Sequence, residues 1–135
     1  MAHTEFSIPI VTDNDIVSAR QQARELAKNS GFSSSELAVI ATAISELARN
    51  IVSYAKNGTV SISLIEEKGK SGIQIVAQDQ GPGIQDLHLA MQEGYSTSNS
   101  LGLGLPGVQR LMDSFEINSV IGKGTTIIVR KWVFS

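Results

Sequence analysis

Apolar positions Leu37, Ile40, Ala41, Ile44, Leu47, Ala48 and Ile51 recur at the three- and four-residue spacing that lines one face of a helix. Ser33 or Ser34 can cap that helix, Glu36 and Leu37 fall in its first turn, and Lys56-Asn57-Gly58 is a chain reversal that ends it. A helix on the same rule precedes it, with Ile16, Ala19, Ala23, Leu26 and Ala27 on its buried side. Thr12 followed by Asp15 resembles a capping box, the pattern runs to about Asn29, and Gly31 takes the C-cap-like position. Residues 5–11 alternate like a strand, but Pro9 has no N–H to give a ladder, which predicts an edge position.

Strand-like runs follow at Thr59 to Ile65 and Ile73 to Asp79, joined by the charged segment Glu66 to Gly72, and predict a hairpin. Leu87 to Met91 is a short helix pattern and Tyr95 to Ser100 a small, polar loop. Leu105 to Met112 is helical, with Pro106 in the first turn, where a missing N–H costs nothing. Phe115 to Ile121 and Thr125 to Phe134 are strand-like, joined by Gly-Lys-Gly. Strands in hairpins, interrupted by helices without strict βαβ alternation, predict an α/β two-layer sandwich. Its sheet would be mixed and mostly antiparallel, with helices covering one face. The length of 135 residues fits one domain, residues 1–135.

Composition narrows the function. The net charge is −2 and no Lys/Arg cluster stands out, which argues against a nucleic-acid partner. No cysteine is present, so disulfides and thiolate metal sites are excluded. No basic start leads into an apolar core, and no apolar run approaches membrane-spanning length. The expectation is a cytoplasmic protein without a membrane partner.

Chemistry gathers in four segments. Glu46 and Asn50, four residues apart in Ser-Glu-Leu-Ala-Arg-Asn, project from one helix face, where a carboxylate and an amide can hold a metal-bound ligand. Asp79-Gln80-Gly81-Pro82-Gly83 follows a strand directly. Its glycines let the backbone turn and a ligand approach, and Asp79 can accept from an amine such as that of adenine. Gly102-Leu103-Gly104-Leu105-Pro106-Gly107 leads into a helix N-terminus, a place suited to phosphates, without matching the P-loop or dinucleotide spacing. Gly122-Lys123-Gly124-Thr125-Thr126 alone is an ordinary hairpin turn.

In this order the four segments resemble the N box and the three glycine boxes of the GHKL ATPases, the Bergerat-fold superfamily that includes gyrase, Hsp90 and histidine kinases. The resemblance spans Glu46 to Thr126. The chain has no room for a dimerisation helix bundle or a transducer domain. The Ile44-to-Asn50 form of the N box, the Gly-Leu-Gly-Leu-Pro-Gly segment and the opening Thr-Asp-Asn-Asp-Ile-Val-Ser-Ala-Arg are similar to the anti-sigma-factor-type serine/threonine switch kinases, on the stressosome branch.

The resemblance implies roles residue by residue. Glu46 would be the catalytic base that accepts the proton of a substrate hydroxyl, and Asn50 would bind Mg²⁺ through its amide oxygen. Asp79 would read adenine, with Gly81 and Gly83 passing close to the base. Gly102 and Gly104 would serve the phosphate loop, and Thr126 would help to hold Asp79, a place that Thr125 could also take. ATP and Mg²⁺ would be required. The acceptors would be STAS-domain antagonist and scaffold proteins, and the released kinase would activate a PP2C-type phosphatase. A second implication is an anti-sigma factor that sequesters a sigma factor, and a third is a plain ATPase or a remnant that has lost catalysis. One departure stands out. No Lys or Arg lies between Gly83 and Arg110, whereas related kinases carry a basic lid residue. Arg20, Arg24 and Lys28 offer a candidate protein-facing surface. His3 and His88 are expected at the surface, Ser96, Thr97, Ser98 and Ser100 in the lid, and Trp132 in the core.

Overall fold

The computed structural model describes residues 5–83 and 104–133. The expected helix at Leu87 to Met91, the loop at Tyr95 to Ser100, and His3, His88, Gly102 and Phe134 lie outside the described residues. The chain runs β1 (Glu5–Ile10), α1 (Asp13–Ala27), α2 (Ser34–Asn50), a π turn (Ile51–Ala55), β2 (Gly58–Glu67) and β3 (Lys70–Asp79), then α3 (Gly104–Leu111), β4 (Ser114–Val120) and β5 (Gly124–Trp132). The strands form one sheet in the order β1-β2-β3-β5-β4. Every pairing among them is antiparallel, so the expected parallel component of a mixed sheet is not found. The reason lies in the connections. Two hairpins account for two of the pairings, and the helical crossovers return the chain in the opposite sense rather than as βαβ units.

Local chemistry sets the ends of the elements. Asp15 Oδ2 accepts the backbone N–H of Val11 and of Thr12, each at 2.9 Å. Ser33 and Glu36 form a reciprocal box at the start of α2, with Ser33 N to Glu36 Oε1 at 2.8 Å and Glu36 N to Ser33 Oγ at 3.1 Å. The β2–β3 hairpin is tighter than the segment Glu66 to Gly72 suggested. Its loop is Lys68-Gly69 with φ of 53° and 80°, the doubly positive pattern of a turn whose twist matches the strands. Pro9 lies on β1, an edge strand, opposite Thr59.

The N–H groups of Thr12 and then Val11 hold the Asp15 carboxyl below its ordinary range. A depressed folded-state pKa stabilises the fold above the ordinary carboxylate range, and that contribution disappears as pH falls through the lowered value. Asp15→Asn is therefore expected to lower the thermal midpoint at neutral pH but not in strong acid. Melting curves of both proteins from pH 7 to pH 2 would check it, and a constant gap would contradict the assignment.

One face of the sheet carries the core. Val60 and Ile62 of β2, Ile73, Ile75 and Ala77 of β3, and Ile127 and Val129 of β5 are buried beneath the helices. α2 is the middle helix, packed against α1 and α3. Its burial consequently extends beyond the apolar stripe to Ala43, Ser45 and Glu46. The helical segment Ser34–Ala55 reaches a mean hydropathy of 1.2 over 18 residues, long and apolar enough to cross a membrane by length and composition. That corrects the expectation that no segment approaches such a length. Here the apolar side of the segment is taken up by the protein core, which explains the composition without a bilayer.

Lys131 is a buried charge on the core side of β5, and its Nζ donates to the carbonyl of Leu111 at 3.4 Å, the last residue of α3. A cation there satisfies an orphan carbonyl and complements the helix dipole. Trp132 is not in the core as expected. Strand alternation puts it on the opposite face from Lys131, half-buried over Gly72, where any Cβ would lie 2.6 Å from its ring.

Candidate active site

Glu46 and Asn50 are held by the second half of α2, one turn apart. Glu46 is 3% exposed, although it belongs to the helix's polar face. Its Oε1 accepts from Arg49 Nη1 at 3.0 Å, and its Oε2 is buried with no hydrogen-bond partner among the described residues. A buried carboxylate oxygen without a donor is costly in a fold, by about 1–3 kcal/mol. Such an atom is suited to accept a proton from an arriving group. Asn50 closes α2 half-buried, and its side-chain amide has no recorded partner among the described residues.

After Asn50 the helix loosens into the π turn, which ends at Lys56 with a positive φ of 71°. Helices widen in this way most often at functional places. The turn carries the chain to Gly58, beside the end of β3. There Asp79 continues the core-facing series Ile73, Ile75, Ala77 at the rim of the sheet. Its Oδ1 accepts the N–H of Gly81 at 2.9 Å, a local turn that fixes the carboxylate and leaves Oδ2 without a partner among the described residues.

The glycines answer to close approach. A Cβ on Gly81 would lie 2.6 Å from Cβ of Ala55 in the π turn, and one on Gly83, with φ of 80°, 2.5 Å from the carbonyl of Val120. Gly104 opens α3 at a positive φ of 60°. Gly102, the other expected phosphate-loop glycine, lies outside the described residues.

The sheet register decides between the two threonines. Thr125 stands opposite Asp79 in the β3–β5 ladder, so both side chains share one face, whereas Thr126 pairs with Gln78 on the other. Thr125 is buried and its Oγ1 is 2.8 Å from Ser119 Oγ. Of the two threonines, Thr125, the alternative to Thr126, is the one that shares the face of Asp79. Doubled threonines cannot be told apart until a strand partner is known, because one residue of slip exchanges the faces.

Gly124 is a residue that the sequence did not single out. It has φ of 129°, and a Cβ there would lie 2.1 Å from the backbone carbonyl of Asp79. Its signal was present in Gly-Lys-Gly, but a hairpin turn accounted for both glycines equally well. Gly122 faces open space; Gly124 lies against the backbone of Asp79 and Gln80.

The expected site residues thus stand as a buried carboxylate and an amide one turn apart on α2, with a second carboxylate pinned at the rim of an antiparallel sheet. Residues 11–131 match the family model described as the histidine kinase-like ATPase domain. The chain belongs to that ATPase family. Within it, the chain is 53% identical over 126 residues to serine/threonine-protein kinase RsbT of Bacillus subtilis (strain 168), covering 93% of this chain and 95% of the relative. An anti-sigma F factor of Thermoanaerobacter sp. (strain X514) is 33% identical over 106 residues, 74% of this chain and 73% of the relative. Among solved structures, the RsbU and RsbW domains of a Mycobacterium tuberculosis protein share the fold with a TM-score of 0.61 at 21% identity, over 97% of this chain and 32% of that one. The mycobacterial sensor histidine kinase MprB does so with a TM-score of 0.55 at 19% identity, over 97% of each chain. This histidine kinase-like ATPase domain is thus a serine/threonine-protein kinase of the RsbT kind, an ATP-using enzyme of a partner-switching family.

Proposed function

We propose that the chain, as one kinase domain over residues 1–135, moves the γ-phosphoryl group of ATP to a serine or threonine hydroxyl of a STAS-domain protein. Glu46 Oε2 takes the hydroxyl proton as the oxygen bonds to the γ-phosphorus and the bond to the β–γ bridging oxygen breaks, releasing ADP. The observation that carries this reading is the buried, unpartnered Oε2, one turn from Asn50. Asp79 Oδ2 accepts from the adenine amine, with Thr125 beside it on the sheet and Gly81 and Gly83 making room for the base. Gly104 and Gly102 flank the phosphates with backbone N–H groups.

Asn50 fits Mg²⁺, since its amide oxygen is uncommitted among the described residues. No group of three or more His, Cys, Asp or Glu gathers among the described residues. None is needed, because a cation of this kind takes one or two protein oxygens and completes its shell with phosphates and water. When bound, the ion supplies positive charge to the phosphate oxygens.

The physiological acceptors in this reading are an antagonist and a scaffold with STAS folds in the cytoplasm. On release the kinase engages the regulatory domain of a PP2C-type phosphatase. Without Lys or Arg between Gly83 and Arg110, the site meets phosphate charge mainly with Mg²⁺ and backbone N–H groups. The isolated protein is therefore expected to bind Mg-ATP weakly, and titration calorimetry giving a submicromolar Kd without a partner would contradict that.

The deciding experiment is transfer of label from ATP and Mg²⁺ to a panel of STAS-domain proteins from the same genome. Label on one of them supports the kinase reading. No label, with a sigma factor retained by the protein, would replace it with sequestration, as the anti-sigma F relatives suggest.

A further inference from the structure

Arg49 lies inside the N-box segment without an assigned role, yet among the described residues it makes the polar contact of Glu46. We infer that Arg49 is a positioning residue for Glu46, fixing Oε1 so that Oε2 is presented to the acceptor hydroxyl. The inference rests on the reading of Glu46 as the base.

A glutamate side chain has three rotatable bonds, and the carboxylate plane spins freely unless something holds it. A general base must lie within about 2.6–3.2 Å of the proton it takes, so an unheld carboxylate spends much of its time misaligned. Burial alone does not settle the plane. Arg49 does so from three residues on, since i and i+3 lie on the same side of a helix and its chain reaches back over the preceding turn. One N–H from Nη1 meets Oε1 at 3.0 Å, and the two carboxylate oxygens cease to be equivalent. The oxygen left over is the buried atom without a donor.

The exposure of the pair is as asymmetric as its roles. Glu46 is 3% exposed and Arg49 30%, so the guanidinium sits at the margin and buries little of the core. Losing it should spare the fold. Lysine could keep the charge, but its single ammonium lacks the planar fork that fixes an orientation.

The test is a double-mutant cycle on Glu46→Gln and Arg49→Gln, read as the steady-state rate of ADP formation from Mg-ATP with the STAS-domain protein that wild type labels. Arg49→Gln is expected to lower kcat about 10- to 100-fold, the scale of a misplacement of about 1 Å, with KM for ATP held within about twofold. Arg49→Lys should recover part of the loss. In the Glu46→Gln background the second change should cost no more than about twofold, because a residue acting through Glu46 has nothing left to position. A rise in KM for ATP, or an equal loss in both backgrounds, would show Arg49 acting independently of Glu46 and overturn the inference. Unchanged kcat in Arg49→Gln with activity lost in Glu46→Gln would overturn this inference alone. Wild-type activity in Glu46→Gln would instead remove the base itself and the reading beneath it.

Discussion

Glu46→Ala is expected to lose phosphotransfer to its STAS-domain acceptor by roughly 10²- to 10⁴-fold while still binding ATP, the range for removing a positioned general base. At 1.36 kcal/mol per tenfold, that is about 3–5 kcal/mol of transition-state stabilisation. Folding should respond differently. The native carboxylate already carries an unpartnered oxygen, and its partner Arg49 is exposed enough to turn into water. Alanine removes the desolvation cost together with the ion pair, so the thermal midpoint should stay near that of wild type. Activity and calorimetry on the same preparation would check both halves. A large drop in the midpoint would assign Glu46 a structural role, and retained transfer would exclude it as the base.

Gly124→Ala carries the second large effect, on binding and stability together. Its backbone, at φ of 129°, is strained for any L side chain, and the new Cβ would lie 2.1 Å from the carbonyl of Asp79 and 2.8 Å from Cα of Gln80. Those are backbone atoms, so no side chain can swing aside. Strain of about 1–3 kcal/mol and overpacking of about 1–3 kcal/mol are expected to add. The end of β3 must shift, taking Asp79 with it. Gly122→Ala is the control, since it shares the positive φ, at 81°, but meets nothing within 4 Å. The difference between the two variants in denaturant midpoint and in ATP affinity isolates the contact with Asp79. Equal effects would mean that strain alone matters at this turn.

Much of this arrangement was legible in the residues. The periodicity of α2 placed Glu46 and Asn50 on one face, and Pro9 marked an edge strand. What escaped depended on distant parts of the chain. Glu46 reads as a polar-face residue, and its burial shows only in the folded chain. The choice between Thr125 and Thr126 needed the register of β5 against β3, which no turn dictates because the two strands are separated by α3 and β4. Gly124 looked like turn chemistry because its reason, the carbonyl of Asp79, is 45 positions earlier in the sequence. The π turn has no strong sequence signature, and Val52-Ser53-Tyr54 within it continue an acceptable helical pattern.

The sheet order bears on how the molecule assembles. β2 with β3 and β4 with β5 are hairpins closed by neighbours in the chain, whereas the seam between β3 and β5 joins residues some fifty positions apart. Loop closure of that length opposes the seam until both hairpins and their helices can reward it, so local pairs have the kinetic advantage. Asp79 and Thr125 meet across that seam. Nucleotide recognition should therefore appear only with the finished sheet, and a bound nucleotide would hold together the joint that local structure supports least.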